Sequence, residues 1–177
     1  MASIRLNSTP LTAAAASALL ASLAMVAVPG CSPAPSGPAV ERIEVGGETF
    51  AFEIAADDAS RTRGLGGRTS LAPNEGMLFI FPDAQMRSFW MYDCLIPIDI
   101  AYLDPLGTVT AVYTMPFESP RGENETEAAY TARLPRYPSR FPAQFVLEFP
   151  AGTIERIGLA PMSRVDLDTR RLKSLAR

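Results

Sequence analysis

Apolar positions fall into short runs along the chain, separated by turn-forming residues. Glu41 to Val45 and Thr49 to Ile54 alternate or cluster β-formers on either side of Gly46-Gly47, which predicts a hairpin. Asp57-Asp58, then Arg61, Arg63 and Gly64, predict a short helix with acids at its positive end, bases at its negative end and a glycine cap. Gly76 to Phe81 is an unbroken apolar run between Pro73-Asn74-Glu75 and Pro82-Asp83. A run this short is a buried strand rather than a free-standing helix. Asp104-Pro105-Leu106-Gly107 has type I turn chemistry and should join Ile98–Leu103 to Thr108–Met115. In that second strand Val109, Ala111, Tyr113 and Met115 share one face and Thr108, Thr110 and Thr114 the other, which predicts a sheet wet on one side.

Further on, residues 116–140 are rich in proline, arginine and glutamate without any period, and read as a long surface excursion. Its alternating Glu123, Glu125 and Glu127 lack the ordered Asp/Asn-Gly spacing of a calcium loop, so a solvated acidic loop is the preferred reading and no metal site is assigned. Phe145–Phe149 predicts a strand, Pro150–Gly158 one or two helical turns, and Arg164–Leu167 a last short strand. Many short strands with little helix make the fold mostly β. The expectation is a compact antiparallel β-sandwich or flattened barrel with one or two short helices.

The densest stretch is Ser88 to Asp104, read as two strands interrupted at Pro97. It holds the only Trp and three acids in an otherwise apolar, aromatic and β-branched run. A carboxyl among core residues must be paired, hydrogen-bonded, ligating or open to a cleft, because burying it alone costs several kcal/mol or shifts its pKa. Asp99 therefore stands out. If Ile98, Ile100 and Tyr102 face the core, alternation turns Asp99 to the opposite surface. It is either a ligand-binding or metal-binding carboxylate or, the preferred reading, a structural one that accepts backbone N–H bonds or pairs with an arginine to lock the bend. Asp93 and Asp99 could also form the carboxylate pair of a glycoside hydrolase, which needs carboxyls about 5 to 9.5 Å apart across a cleft. Trp90 and Tyr92 are core residues, or, if their face is open and concave, stacking surfaces for sugar rings or flat apolar ligands. Cys94 on the same strand reads as a small buried hydrophobe.

At the N-terminus, residues 1–30 carry one base, Arg5, then an Ala- and Leu-rich run and small residues before Cys31, the outline of an export signal; a membrane-spanning helix is the competing reading. Val28-Pro29-Gly30-Cys31 resembles a bacterial lipobox, which implies a diacylglyceryl group on Cys31 as the first residue of the product. Residues 31–40 form a Pro-rich tether, 41–168 a single β-rich domain and 169–177 a C-terminal tail. Ser32 after the cysteine, in place of aspartate, favours the outer membrane facing the periplasm; a soluble periplasmic product is the alternative.

Several ordered motifs carry a wider resemblance: Arg63-Gly64-Leu65 with Arg68, Gly76-Met77-Leu78-Phe79-Ile80-Phe81, Phe89-Trp90-Met91 with Cys94-Leu95-Ile96-Pro97-Ile98-Asp99-Ile100, and Phe145-Val146-Leu147-Glu148 with Ala151-Gly152. Together, over about residues 42–166, they resemble the domain of unknown function 192 family. That resemblance implies a compact, mostly β fold and no assigned activity. It also nominates Arg68 as the partner of Asp99, since both lie in matching motifs. Relative to the family pattern, Asp93 stands in place of asparagine, Tyr92 of lysine, Gly66 of methionine and Phe117 of cysteine.

Composition then narrows function. With no histidine, neither His-based triads nor imidazole zinc sites are available, and Cys94 has no histidine to activate it. A formal charge of −3 over 177 residues argues against nucleic acid as a partner. The reading is an exported, lipid-anchored, non-catalytic binding or accessory module of the envelope with no cofactor, whose partners are the membrane and an unidentified envelope ligand or protein. The polar cluster at its candidate surface is Asp99, Arg68, Asp93, Trp90 and Tyr92. The alternatives are a carboxylate-dependent hydrolase acting on envelope glycans and a structural lipoprotein.

Overall fold

The computed structural model describes residues 37–177; the leader, Cys31 and most of the tether lie outside the described residues. Eight strands and four short helices follow in order. They are β1 Val40–Val45, β2 Glu48–Ala55, α1 Asp58–Arg63, β3 Glu75–Gln85, β4 Ser88–Phe89, β5 Ile98–Leu103, β6 Val109–Met115, α2 Glu127–Arg133, β7 Tyr137–Pro138, β8 Ala143–Pro150, α3 Thr153–Arg156 and α4 Thr169–Lys173. Six strands make one sheet in the order β1-β2-β3-β8-β5-β6, and β4 pairs with β7 in a second, two-stranded sheet.

The fold is mostly β, as expected, but the main sheet is open and mixed rather than a closed antiparallel barrel. β2 and β3 run parallel, Ala51 opposite Glu75 through Ala55 opposite Phe79. The chain between them carries α1, and a crossover of that length permits the parallel pairing that a tight hairpin forbids. α1 begins as its sequence predicts: Asp57 caps it, accepting from Ser60 N at 2.8 Å while Ser60 Oγ accepts from Asp57 N. The turn after β5 also forms, with Asp104 Oδ1 accepting from Leu106 N and Thr108 N. Gly107 takes φ +87 there, and an added Cβ would meet Val165 O at 2.6 Å.

Both faces of the central strands are buried, and the expected wet side is confined to the edge strand β6, where Thr114 is exposed and Thr110 half-buried opposite buried Val109, Ala111 and Met115. One face packs Phe50, Phe52, Leu78, Ala101, Leu103, Phe145, Leu147 and Phe149 against Ile154, Leu159 and Leu172. The other packs Met77, Phe79, Ile98, Ile100, Tyr102 and Val146 against Leu65, Met91 and Cys94. Strand alternation accounts for the division on β3, β5 and β8. On β6 it fails at one place: the register shifts between Tyr102 and Leu103, so that Val109 joins the first core while Ala111 and Met115 stay in the second.

Three further expectations are corrected. The first half of the aromatic stretch is not a long strand: β4 has two residues, and the chain leaves extended geometry before Asp93, whose φ is +51. Arg164–Leu167 forms only an isolated bridge, Thr108 to Arg164. Residues 169–177, set apart as a tail, instead form α4 and pack back, with Leu172 buried and Arg177 N donating to Ala56 O at 2.8 Å.

Asp99 is 0% exposed and belongs to the first core face. Its Oδ2 accepts from the backbone N–H of Ile154 at 2.8 Å and its Oδ1 from the Thr114 hydroxyl at 2.7 Å. The carboxyl thus fastens the start of α3 and the edge strand β6 to the centre of the sheet, the structural role preferred from the sequence. Its nominated partner Arg68 pairs with Glu53 instead. Removing a buried carboxyl strands both donors. Asp99→Ala should therefore lower unfolding free energy by about 2–4 kcal/mol in urea titrations, and Asp99→Asn, which keeps one acceptor and one donor, by less.

Candidate functional site

The second core face does not close over completely. A cavity of about 830 Å³ opens beside it, within the range of small-molecule sites. α1 and the turn after it supply Arg61, Gly64 and Leu65, and β3 supplies Phe79 and Phe81. Phe89, Trp90, Tyr92 and Cys94 come from β4 and the following loop, Glu127 and Thr131 from α2, and Glu148 from β8.

The excursion of residues 116–140 builds the outer wall. It is tied down where β7 pairs with β4, Ser88 opposite Pro138 and Phe89 opposite Tyr137, and where Tyr102 Oη donates to Tyr137 O. α2 contributes the buried Tyr130, whose hydroxyl accepts from Asp93 N at 2.9 Å. Tyr92 Oη donates to Glu127 Oε1 at 2.7 Å, and Arg121 pairs with the other oxygen of Glu127 at 2.9 Å. The aromatic rings make a connected series: Trp90 to Tyr92 at 5.6 Å between centroids and Tyr92 to Tyr130 at 5.3 Å. Guanidinium groups sit on its ends, Arg136 3.5 Å from the Trp90 ring centre and Arg133 4.9 Å from that of Tyr130. Two glutamates of the excursion serve this wall: Glu125 pairs with Arg133, and Glu127 with Arg121.

Glu148 sits at the back of the cavity. It lies on the central strand, with Met77 opposite it on β3 and Ile100 opposite it on β5. The residue is 5% exposed, and its Oε2 is buried without any hydrogen-bond partner. Burial pushes its carboxyl up to about 8, so at neutral pH it holds a proton. Burial likewise pushes the Cys94 thiol up to about 12, with smaller contributions from Glu148 and Asp93. Cys94 is therefore a thiol, not a poised thiolate, in keeping with its reading as a small apolar residue.

The charged side chains nearer the surface are largely committed. Arg61 donates to Ile80 O at 2.8 Å, to Asp58 and to Arg177 O. Arg87 donates to Ala143 O and Asp83, and lies 3.5 Å over the Phe81 ring centre. Among the described residues no group of three or more Cys, Asp or Glu side chains is arranged to hold a metal ion.

Of the five residues nominated from the sequence, the structure brings Trp90 and Tyr92 to the cavity, both half-buried. Asp99 is in the opposite core and Arg68 is bound to Glu53. Asp93 is exposed at the corner of the loop, where its carbonyl accepts from Gly67 N at 2.9 Å. Its left-handed φ is one that aspartate and asparagine tolerate best among residues with a side chain, so an acid and the family's amide serve the same turn. A hydrolytic pair of Asp93 and Asp99 is accordingly not assembled.

A family model, DUF192, described as an uncharacterized ACR, matches residues 41–167. The chain belongs to the DUF192 family. None of the curated proteins matches it. Two solved structures resemble this DUF192 chain. One, a candidate transcription regulator from Sinorhizobium meliloti, is 30% identical, with a TM-score of 0.56, over 72% of this chain and 90% of the other. The other, a protein of unknown function from Novosphingobium aromaticivorans, is 26% identical, with a TM-score of 0.57, over 80% and 94%.

Glu148, the residue of this DUF192 domain that sequence reasoning passed over, obeys the rule applied to Asp99: an acid inside an apolar strand needs an explanation. In Phe145-Val146-Leu147-Glu148-Phe149 strand alternation alone sets Glu148 on the face opposite the three residues Phe145, Leu147 and Phe149.

The carboxyl makes stability depend on pH. Its folded-state value lies above the unfolded one, so the folded state binds the extra proton and stability falls as pH rises from about 5 to about 8. The loss should be on the order of 4 kcal/mol. Urea midpoints measured between pH 5 and pH 9 should fall for the native chain and stay nearly level for Glu148→Gln; parallel curves would remove Glu148 as the source.

Proposed function

We propose that this chain is an exported, lipid-anchored envelope protein that works as a non-catalytic binding module, with the cavity in front of Glu148 as its ligand site. The observation that carries the reading is a preformed hollow of about 830 Å³, apolar at the back, walled by aromatic rings and ending on one unsatisfied buried carboxyl. A binding site needs only these features. A carboxylate-dependent hydrolase needs a second carboxyl converging on the first, and Asp58 and Glu127, the other acids lining the cavity, already take donors from Arg61, Tyr92 and Arg121. Export and anchoring are supported by the apolar leader, by Val28-Pro29-Gly30-Cys31 and by the Pro-rich spacer that would hold the domain away from the bilayer. Transcriptional regulation, suggested for the Sinorhizobium meliloti relative, fits poorly with a formal charge of −3 and an export-type leader.

Two measurements check the two halves of this proposal. Mass spectrometry of protein recovered from the membrane fraction should find Cys31 as the first residue carrying a diacylglyceryl group, and an unmodified Cys31 on the mature product would overturn the anchor. Trp90, the sole tryptophan, reports on the cavity it lines. Titration with the uncharged apolar probe N-phenyl-1-naphthylamine should quench its emission by energy transfer. Thr131→Phe, which narrows the mouth from α2, should weaken binding by about tenfold or more. No quenching, or quenching indifferent to Thr131→Phe, would reject the cavity as a binding site.

A further inference from the structure

We propose that the cavity takes a small organic cation, a primary amine on an apolar body, whose ammonium group supplies the hydrogen-bond donor that Glu148 Oε2 lacks; this rests on the cavity being the ligand site. Nothing within the domain fills that role. The chain's only lysine is Lys173, on α4, where its neighbour Leu172 packs into the opposite core. Arg61 and Arg87, half-buried in the cavity lining, are already held by Asp58, Asp83 and backbone carbonyls. A carboxyl flanked by Met77 and Ile100 has no donor on either neighbouring strand. A donor arriving with the ligand removes the penalty of that unsatisfied oxygen, and a charged donor adds attraction in a poorly screened setting.

The walls agree with this choice. Trp90 and Phe81 each already hold a guanidinium 3.5 Å from the ring centre, so the aromatic lining accepts cations on its faces. Leu65, Phe79 and Phe89 offer the apolar body a surface to cover. With Glu148 ionised, the lining carries Arg61, Arg63 and Arg87 against Asp58, Glu127 and Glu148, a balance of charge that does not repel a cation at the mouth. Once ionised, Glu148 would by contrast repel an anion at the back of the cavity.

Binding of an ammonium group needs Glu148 as the carboxylate. The other titratable groups lining the cavity or packed near it are Tyr92 and Cys94 on the loop after β4, Tyr102 on β5, Arg61, Arg63 and Asp58 of α1, Arg87 before β4 and Glu127 of α2. Burial raises Cys94 and Tyr102, and the hydrogen bond to Glu127 raises Tyr92, all away from neutrality, whereas burial brings Glu148 towards it. Amine affinity should then rise about tenfold between pH 7 and pH 9, with release of one proton at the lower pH.

The test uses the full chain and three probes of equal length, hexylamine, hexanol and hexanoate, followed by Trp90 fluorescence and by saturation-transfer NMR. Hexylamine should bind about tenfold tighter than hexanol at pH 8.5. Glu148→Gln should lose that preference and the pH dependence while keeping hexanol, and Glu148→Asp, whose carboxylate is withdrawn by one methylene, should keep the preference in weakened form. If hexanol or hexanoate binds as well as the amine, or if Glu148→Gln retains the preference, the amine assignment is overturned while the cavity stands as a ligand site. If none of the three probes reaches the cavity, the ligand-site reading falls with it.

Discussion

The structure depends on β8 being covered on both faces while it lies between two other strands. Phe145, Leu147 and Phe149 join one core and Val146 joins the other, and β3 and β5 satisfy its backbone on either side. A strand in that position has no edge and no wet surface, so any polar side chain on it must be answered from within the fold or left unanswered. Close packing sharpens the constraint. An added Cβ at Gly76 would stand 2.3 Å from the Glu148 carbonyl and 2.6 Å from the Phe52 ring, so the approach of β3 to β8 requires glycine there.

Two acids in the central strands illustrate the two outcomes. Asp99 meets a backbone N–H and a hydroxyl and becomes a fastening. Glu148, one strand away and facing the opposite layer, meets methionine, isoleucine and a cysteine thiol, and its charge is suppressed. Chemistry at the two carboxyls therefore differs because of what the neighbouring strands present, not because of residue type. The open cavity lies on the side where the carboxyl is unsatisfied, not on the Asp99 side, which is why the proposed ligand site is placed there.

Much of the framework was legible in the chain. The hairpin at Gly46-Gly47, the capped helix after Asp57, the apolar run at Gly76–Phe81 and the turn at Asp104–Gly107 all rest on local chemistry, and all appear where that chemistry places them. What local chemistry could not supply was pairing between distant strands. The parallel β2–β3 contact and the insertion of β8 between β3 and β5 are long-range choices, and they bury both faces of the central strands while leaving the expected wet face on the edge strand β6. The pairing of Arg68 also follows from this: Glu53 on β2 is its partner, although the motifs had suggested Asp99. Trp90 and Tyr92 were visible as ligand-facing aromatics only conditionally, because their exposure is set by α2, and residues 116–140 show no period from which a wall could be foreseen.

That wall is an inserted segment between two sheet strands, β6 and β8, anchored by one short pairing, a few hydrogen bonds and stacked rings rather than by the main core. Its sequence can therefore change at little cost to the six-stranded platform and its buried glutamate. A change of length or sequence in this removable panel would reshape the outer wall of the cavity and leave the chassis beneath it as it is.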